Sequence, residues 1–249
     1  MHGIEEFSIV RGDTLAHPAF LEDDELKQFN VILANPPYSI KAWDRKSFES
    51  DPYGRNLWGT PPQGSADYAF QQHIQKSLNT QNGRSITLWP HGILFRESEA
   101  GIRRKLIEAD LIECVIGLGP NLFYNSPMEA CLLITKTNKM PDRRGKILFI
   151  NAVNEVKQDR NMGYLENHHV SKIFEAYQDY TSKKNFAALL DIEEVLENKA
   201  NMAINLYVRQ TQLESGEMIP FDDAYAAWNE SSGELKGSMN ALFETLGDS

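Results

Sequence analysis

Apolar and polar positions along this chain of 249 residues switch between two periods. Short apolar runs read as buried strands: Phe7-Ser8-Ile9-Val10, residues 30–34, Ile86-Thr87-Leu88-Trp89 closed by Pro90, Leu111 to Leu118, Ala130 to Thr135 and Ile147 to Ile150. The last two are expected to pair across the turn at Met140-Pro141-Asp142. Helical spacing predicts a helix over 66–78, with Ser65 as its N-cap and Tyr68, Phe70, His73, Ile74 and Leu78 near one face. Further helices are predicted over 97–109, 166–180, 191–199, 221–229 and 234–246, the last with Leu235, Met239, Leu242, Phe243 and Leu246 on one apolar face. Tyr207-Val208 reads as a short extended piece. Residues 39–65 form a long polar segment holding Gly54, Gly59, Pro61, Pro62 and Gly64; loops of that length are usually functional or disordered. Strands alternating with helices predict an α/β sheet. The expected division is a catalytic-type domain over 1–155 and a mostly helical tail over 156–249.

Charge refines this picture. The net charge of −10 argues against a free-standing nucleic-acid binder. It is unevenly spread: residues 1–150 carry a net −1 and residues 151–249 a net −9. The first part therefore has room for local basic patches, such as Arg103-Arg104-Lys105 and Arg143-Arg144-Gly145-Lys146, while the last hundred residues would repel a phosphate backbone. Cys114 and Cys131 both lie in apolar, strand-like runs and read as buried free thiols of a reducing compartment. No run approaches eighteen apolar residues and no leader pattern opens the chain, so a cytoplasmic protein is expected. The six histidines show no metal-ligand spacing.

The most specific chemistry lies in Asn35-Pro36-Pro37-Tyr38, directly after the apolar run Val31-Ile32-Leu33-Ala34. Open α/β sheets place their chemistry at such strand ends. An aromatic amine is a poor nucleophile because its lone pair is delocalised into the ring. Holding both of its hydrogens with fixed acceptors draws the nitrogen toward tetrahedral and aims the lone pair. The Asn35 side-chain oxygen supplies one acceptor and the Pro36 carbonyl the other. Pro37 presses Pro36 into an extended conformation, so that carbonyl is aimed in advance. Tyr38 offers a face for stacking. A base in duplex DNA must first leave the stack, at a cost of a few kcal/mol, and one aromatic returns about 1–3 kcal/mol. A second aromatic is therefore expected, and Leu122-Phe123-Tyr124 supplies two candidates. Asn-Pro-x-Tyr is also a peptide-recognition pattern, but such ligands lie in exposed flexible segments rather than after a buried strand.

With these residues in view, the chain resembles the methyltransferase (modification) subunit of type I restriction–modification systems, an adenine-specific DNA methyltransferase using S-adenosylmethionine. The resemblance covers nearly the whole chain and is strongest from residue 8 to about 155. It rests on residues 9–15 (Ile-Val-Arg-Gly-Asp-Thr-Leu), 29–38, 64–70 (Gly-Ser-Ala-Asp-Tyr-Ala-Phe), 89–96 (Trp-Pro-His-Gly-Ile-Leu-Phe-Arg) and 115–124. It implies a Rossmann-like methyltransferase sheet. Asn35 and Pro36 would hold the target amine, beside Pro37. Tyr38 would stack on the flipped adenine, with Phe123 or Tyr124 on its second face. Asp13 would contact the cofactor adenine, and Asn35 would also border the cofactor. The implied partners are DNA, a specificity subunit met by the helical tail, and a restriction subunit. The glycine-rich cofactor loop of the family lies upstream of anything in this chain. The resemblance therefore implies a piece of a longer protein, with the first two strands of its sheet missing and a bare edge at residues 30–34, so that the isolated chain is expected to aggregate, to dimerise or to need the N-terminal half.

Other features carry less. Gly117-Leu118-Gly119 is followed by Pro120 and reads as a turn, not a cofactor cradle. His91, in Trp-Pro-His-Gly, reads as structural, and Ser39 and Lys41 as a solvated loop. The basic runs read as solvated faces or as DNA-backbone contacts. Two other classes stay open from the residues alone: a methyltransferase acting on an RNA guanine amine or a protein glutamine, and a non-catalytic interaction module.

Overall fold

The computed structural model describes residues 6–123, 128–159 and 162–208. Its strands are β1 (Leu21–Glu22), β2 (Glu25–Leu26), β3 (Val31–Ala34), β4 (Arg84–Pro90), β5 (Ile112–Leu118), β6 (Ala130–Lys136), β7 (Lys146–Ala152), β8 (Lys157–Asp159), β9 (Met162–Tyr164) and β10 (Ala187–Asp191). Its helices are α1 (Arg45–Glu49), α2 (Asp67–Lys76), α3 (Ala100–Glu108), α4 (Asn167–Asp179), α5 (Ile192–Glu197) and α6 (Ile204–Tyr207). Six strands form one mixed sheet in the order β10-β7-β5-β6-β4-β3, so the expected α/β class holds.

β5 explains the centre of the sheet. Every residue of Ile112–Leu118 is buried, as a strand covered on both faces requires. Val115 packs toward one face with Trp89, Leu106, Phe149 and Val195. Cys114, Ile116 and Leu118 pack toward the other with Leu148, Ile150, Ala176 and Tyr180. Both cysteines are buried free thiols. Within this apolar strand Glu113 is also buried, its carboxylate accepting from Arg143 at 3.0 Å and from the Tyr177 hydroxyl at 2.9 Å.

Several expectations are corrected. Strands β6 and β7 are not neighbours: β5 lies between them, antiparallel to β6 and parallel to β7. An earlier apolar strand with two buried edges displaces the local hairpin. Residues 7–10 are not a strand; Phe7, Ile9 and Val10 are exposed and pair with no neighbour among the described residues. The N-cap of α2 is Ala66 rather than Ser65. Tyr207 ends a short helix instead of an extended piece. After residue 155 the chain adds the β8–β9 hairpin and then returns to the sheet, with β10 antiparallel to β7. This strand content was not expected in a mostly helical tail, and the compact unit runs to Gln210. The expected helices over 221–229 and 234–246 lie outside the described residues. No helix among the described residues is long and apolar enough to cross a membrane.

Strand direction positions the site. β3 is parallel to β4, and β6 is antiparallel to both β4 and β5. The C-terminal ends of β3, β4 and β5 therefore share one end of the sheet. β3 is an edge strand. Val31 is 53% exposed and Leu33 73% exposed. Residues 39–65 are not a structureless loop, for they contain α1 and wrap the buried Arg55 and Trp58.

Candidate functional site

Asn35 to Tyr38 follow β3 at the shared sheet end. Pro36 and Pro37 have no N–H to continue a ladder, so the chain leaves the sheet here. Asn35 and Pro37 are exposed, while Pro36 and Tyr38 are half-buried. The Tyr38 hydroxyl donates to Asn35 Oδ1 at 2.6 Å. The Tyr38 ring lies 6.4 Å from the Trp89 ring, tilted by 50°, which joins the loop to the end of β4. Burial raises the Tyr38 phenol above its ordinary range, with Cys131 and Asp67 adding to the effect, so the hydroxyl stays a donor.

The next residue turns sharply. Ser39 has φ of 52°, a left-handed conformation that costs a residue with a side chain about 1–2 kcal/mol. Its N–H donates to Asp67 Oδ1 at 2.7 Å. A hydrogen bond to a charged group contributes about 1.5–3 kcal/mol, enough to offset the turn. Asp67 is fully buried and opens α2, where the helix dipole favours a carboxylate. Its Oδ2 accepts from Arg96, and Arg96 Nε also donates to Glu99 Oε2 at 2.8 Å. Burial pushes the Glu99 carboxyl up, against the pull of Arg96. The start of α2 and the 96–99 segment thus meet at one guanidinium, and Asp67 carries the contact on to the residue after Tyr38.

His91 follows β4. Its Nε2 lies 2.9 Å from the Ala130 carbonyl, so that nitrogen carries the proton, and its Nδ1 is 3.5 Å from the Glu129 carboxylate. The ring lines a cavity of about 430 Å³ with Leu94, Phe95, Asn151 and Ile204. Phe123 is half-buried on the loop after β5, at the same sheet end; Tyr124 lies outside the described residues. Gly119 has a packing reason: a Cβ there would lie 2.5 Å from the Val153 carbonyl.

Asp13 stands apart. It is exposed, and its Oδ1 accepts from the N–H groups of Leu15 and Ala16, both at 3.0 Å. It borders a cavity of about 220 Å³ with Trp43, Asp51 and Tyr53, which neither Asn35 nor Tyr38 lines. The segment is held from below by Arg55, which donates to the Thr14 carbonyl at 3.0 Å and the Leu15 carbonyl at 2.7 Å while paired with Asp51 at 2.6 Å. Its other oxygen accepts no hydrogen bond among the described residues.

Sequence reasoning did not single out Asp67, Arg96 or Glu99 for a role. Asp67 and Arg96 lie in runs carrying the resemblance and Glu99 lies outside them, and a contact between residues 29 apart leaves no local pattern. The basic runs divide: Arg104, Lys105 and Arg144 are exposed as expected, whereas Arg103 is buried and donates to the Ala200 carbonyl at 2.6 Å, and Arg143 pairs with Glu113.

A family model described as N-6 DNA Methylase matches residues 1–215. The methylase subunit of the type I restriction enzyme MjaVIII of Methanocaldococcus jannaschii is 31% identical over 246 residues, spanning 94% of this chain and 42% of that protein. The corresponding HindI subunit of Haemophilus influenzae is 29% identical over 270 residues, spanning 97% of this chain and 57% of that protein. The chain therefore spans about half the length of these curated relatives. Among solved structures, the type I restriction–modification methyltransferase subunit of Streptococcus thermophilus aligns with a TM-score of 0.73 at 34% identity, covering 80% of this chain and 41% of that one. The EcoKI M protein shares the fold, with a TM-score of 0.53 at 17% identity over 90% of this chain and 51% of that one.

Proposed function

Because this chain belongs to the N-6 DNA methylase family, we propose that it carries the acceptor side of an adenine-specific DNA methyltransferase. It works as part of the modification subunit of a type I restriction–modification system. The observation that carries this reading is the exposed Asn35 at the C-terminal end of β3, with Tyr38 hydrogen-bonded to it and backed by Trp89.

The chemistry follows from these groups. Asn35 Oδ1 and the Pro36 carbonyl accept the two amine hydrogens of an adenine turned out of the duplex. Tyr38 stacks on the base, and Phe123 or Tyr124 is proposed for its second face. With both hydrogens held, the nitrogen lone pair points away from the ring plane. S-adenosylmethionine, when bound, supplies a methyl group activated by its positive sulfur. Asp13 would hold its adenine, and Asn35 would border it. The methylated amine sheds a proton to solvent, so no general base is needed among these residues. His91 keeps its structural hydrogen bond to Ala130.

The partners follow the same reading. The outer side of β3 pairs with no strand among the described residues, and an unpaired edge is a template for another chain. The N-terminal half of the methyltransferase is proposed to dock there and to bring the main cofactor loop. The specificity subunit is proposed to meet the acidic last hundred residues, and the restriction subunit to join the assembled complex. A cytoplasmic setting goes with DNA as the substrate.

Transfer of a labelled methyl group to DNA tests the proposal, with the N-terminal half and a specificity subunit supplied. Asn35→Ala is expected to lower turnover by about 100-fold or more. Undiminished transfer by that variant would sink the acceptor role.

A further inference from the structure

We propose that Asp67 and Arg96 are positioning residues for the acceptor loop, a reading that rests on the proposed role of Asn35. The Ser39 turn immediately follows the acceptor tetrapeptide, and its left-handed backbone is fixed from outside by one bond to the Asp67 carboxylate. Asp67 is in turn fixed by Arg96, which Glu99 holds from its other side. Arg96 is itself anchored through its backbone, for its carbonyl accepts from Arg103 Nη1 at 3.0 Å. The neighbouring Ile93 carbonyl accepts from the Tyr68 hydroxyl at 3.0 Å. Glu99 and Asp67 have fully buried side chains, and Arg96 is only partly open to water.

The chain of contacts therefore runs from Arg103 of α3, through Arg96 and Asp67, to the backbone nitrogen one residue beyond Tyr38. None of these side chains needs to touch a base. Their work is to fix where the Pro36 carbonyl and the Asn35 side chain point. An aim of this kind acts on the chemical step, since a misplacement of about 1 Å can cost about 100-fold in rate. Two carboxylates on one guanidinium also leave Arg96 no free face of positive potential, so it is not a phosphate contact.

The test compares Asp67→Asn, Arg96→Gln and Arg96→Lys with Asn35→Ala in the assembled modification complex. Asp67→Asn keeps the shape but removes the ion pair. Its kcat is expected to fall by about 10- to 100-fold, while the KM values for DNA and cofactor stay within about threefold. Fluorescence of 2-aminopurine at the target position is expected to report base extrusion as in the parent. Amide hydrogen exchange should quicken over residues 35–41 and not across the sheet. Arg96→Lys is expected to recover most of the turnover that Arg96→Gln loses, and it serves as the second arm if Asp67→Asn folds poorly. Equal turnover in Asp67→Asn and the parent, beside an inactive Asn35→Ala, overturns the positioning role alone. Retained turnover in Asn35→Ala overturns the acceptor reading and this proposal with it. Arg96→Lys as poor as Arg96→Gln, with exchange raised throughout, also overturns it, by showing a purely structural role.

Discussion

The centre of the sheet and its β3 edge are built differently. Around β5 and β7 the strands are buried on both faces by apolar side chains, and the charged groups that enter, Glu113 and Lys139, are paired. Around β3 the strand edge is open, and the elements beside it are tied by charges and hydrogen bonds. There Arg55 pairs with Asp51, both side chains only 2% exposed, and Arg96 sits between Asp67 and Glu99. Apolar packing is insensitive to pH and hard to open locally. Ionic ties are directional, and losing one partner strands the other in a dry site. The difference places stability at the β5 centre and alignment at the β3 edge, where the proposed chemistry lies.

The largest expected effect breaks the ionic end. Arg55→Ala leaves the Asp51 carboxylate buried without its partner and removes the donor to the Thr14 and Leu15 carbonyls. Breaking a buried pair from one side costs about 3–5 kcal/mol. Because the damage is confined to residues 13–17 and 44–58, hydrogen exchange should quicken there first. An equal loss of protection in β5 would show that the two regions unfold as one unit.

A matched pair of leucines sharpens the same contrast. Leu133 is fully buried on β6, and Leu33 is 73% exposed on β3. Leu133→Ala is expected to lower the unfolding free energy by about 2–5 kcal/mol. Leu33→Ala in the isolated chain should stay within about 0.5 kcal/mol. It should also weaken association with a polypeptide docked at that edge. A large loss at Leu33 in the isolated chain would mean that something already covers it.

Much of this division was legible in the sequence. The continuous apolar run over 111–118 marked the central strand, and Asn35-Pro36-Pro37-Tyr38 after Ala34 marked the end of β3, where the proposed chemistry lies. Strand order was not legible, because β5 enters between β6 and β7 through contacts that no local pattern encodes. Residues 187–191 (Ala-Ala-Leu-Leu-Asp) carry no β-branched or aromatic residue, so β10 exists only because β7 offers it an edge. The converse holds for residues 7–10, whose strand-like pattern finds no partner among the described residues. Arg103 looked like a surface cation because its carbonyl partners, Ile93, Arg96 and Ala200, are invisible in a one-dimensional charge count.

Acid should act on the ionic end before the apolar one. Burial, and then the Arg55 guanidinium 3.5 Å from its Nδ1, push His73 down to about 4 from its ordinary 6.5, although Asp51 pulls the other way. The folded state therefore refuses a proton that the unfolded chain accepts. The resulting stability is complete above pH 6.5 and is lost as the pH falls from 6.5 to 4, by about 3 kcal/mol in total. Urea unfolding of the parent and of His73→Gln at pH 7.5 and pH 4.5 measures it. The variant should lose less stability than the parent over that range. Parallel losses would assign the acid sensitivity to other groups.

The smallest effect is expected at the Tyr38 hydroxyl. It donates to Asn35 Oδ1, the same oxygen proposed to accept an amine hydrogen. A carbonyl oxygen has two lone pairs, so the two donors can share it. Sharing gives the hydroxyl an orienting job, because it keeps the Asn35 oxygen, and not its NH₂ group, turned toward the loop. Tyr38→Phe keeps the ring for stacking and removes only that bond, which is worth about 1 kcal/mol. Single-turnover methyl transfer should therefore slow by less than about tenfold, while Tyr38→Ala, which also loses the stacking face, should weaken base capture further. Cofactor binding should be little changed in both. A loss in Tyr38→Phe as deep as that in Asn35→Ala would make the hydroxyl the working part of Tyr38 and remove the case for its ring.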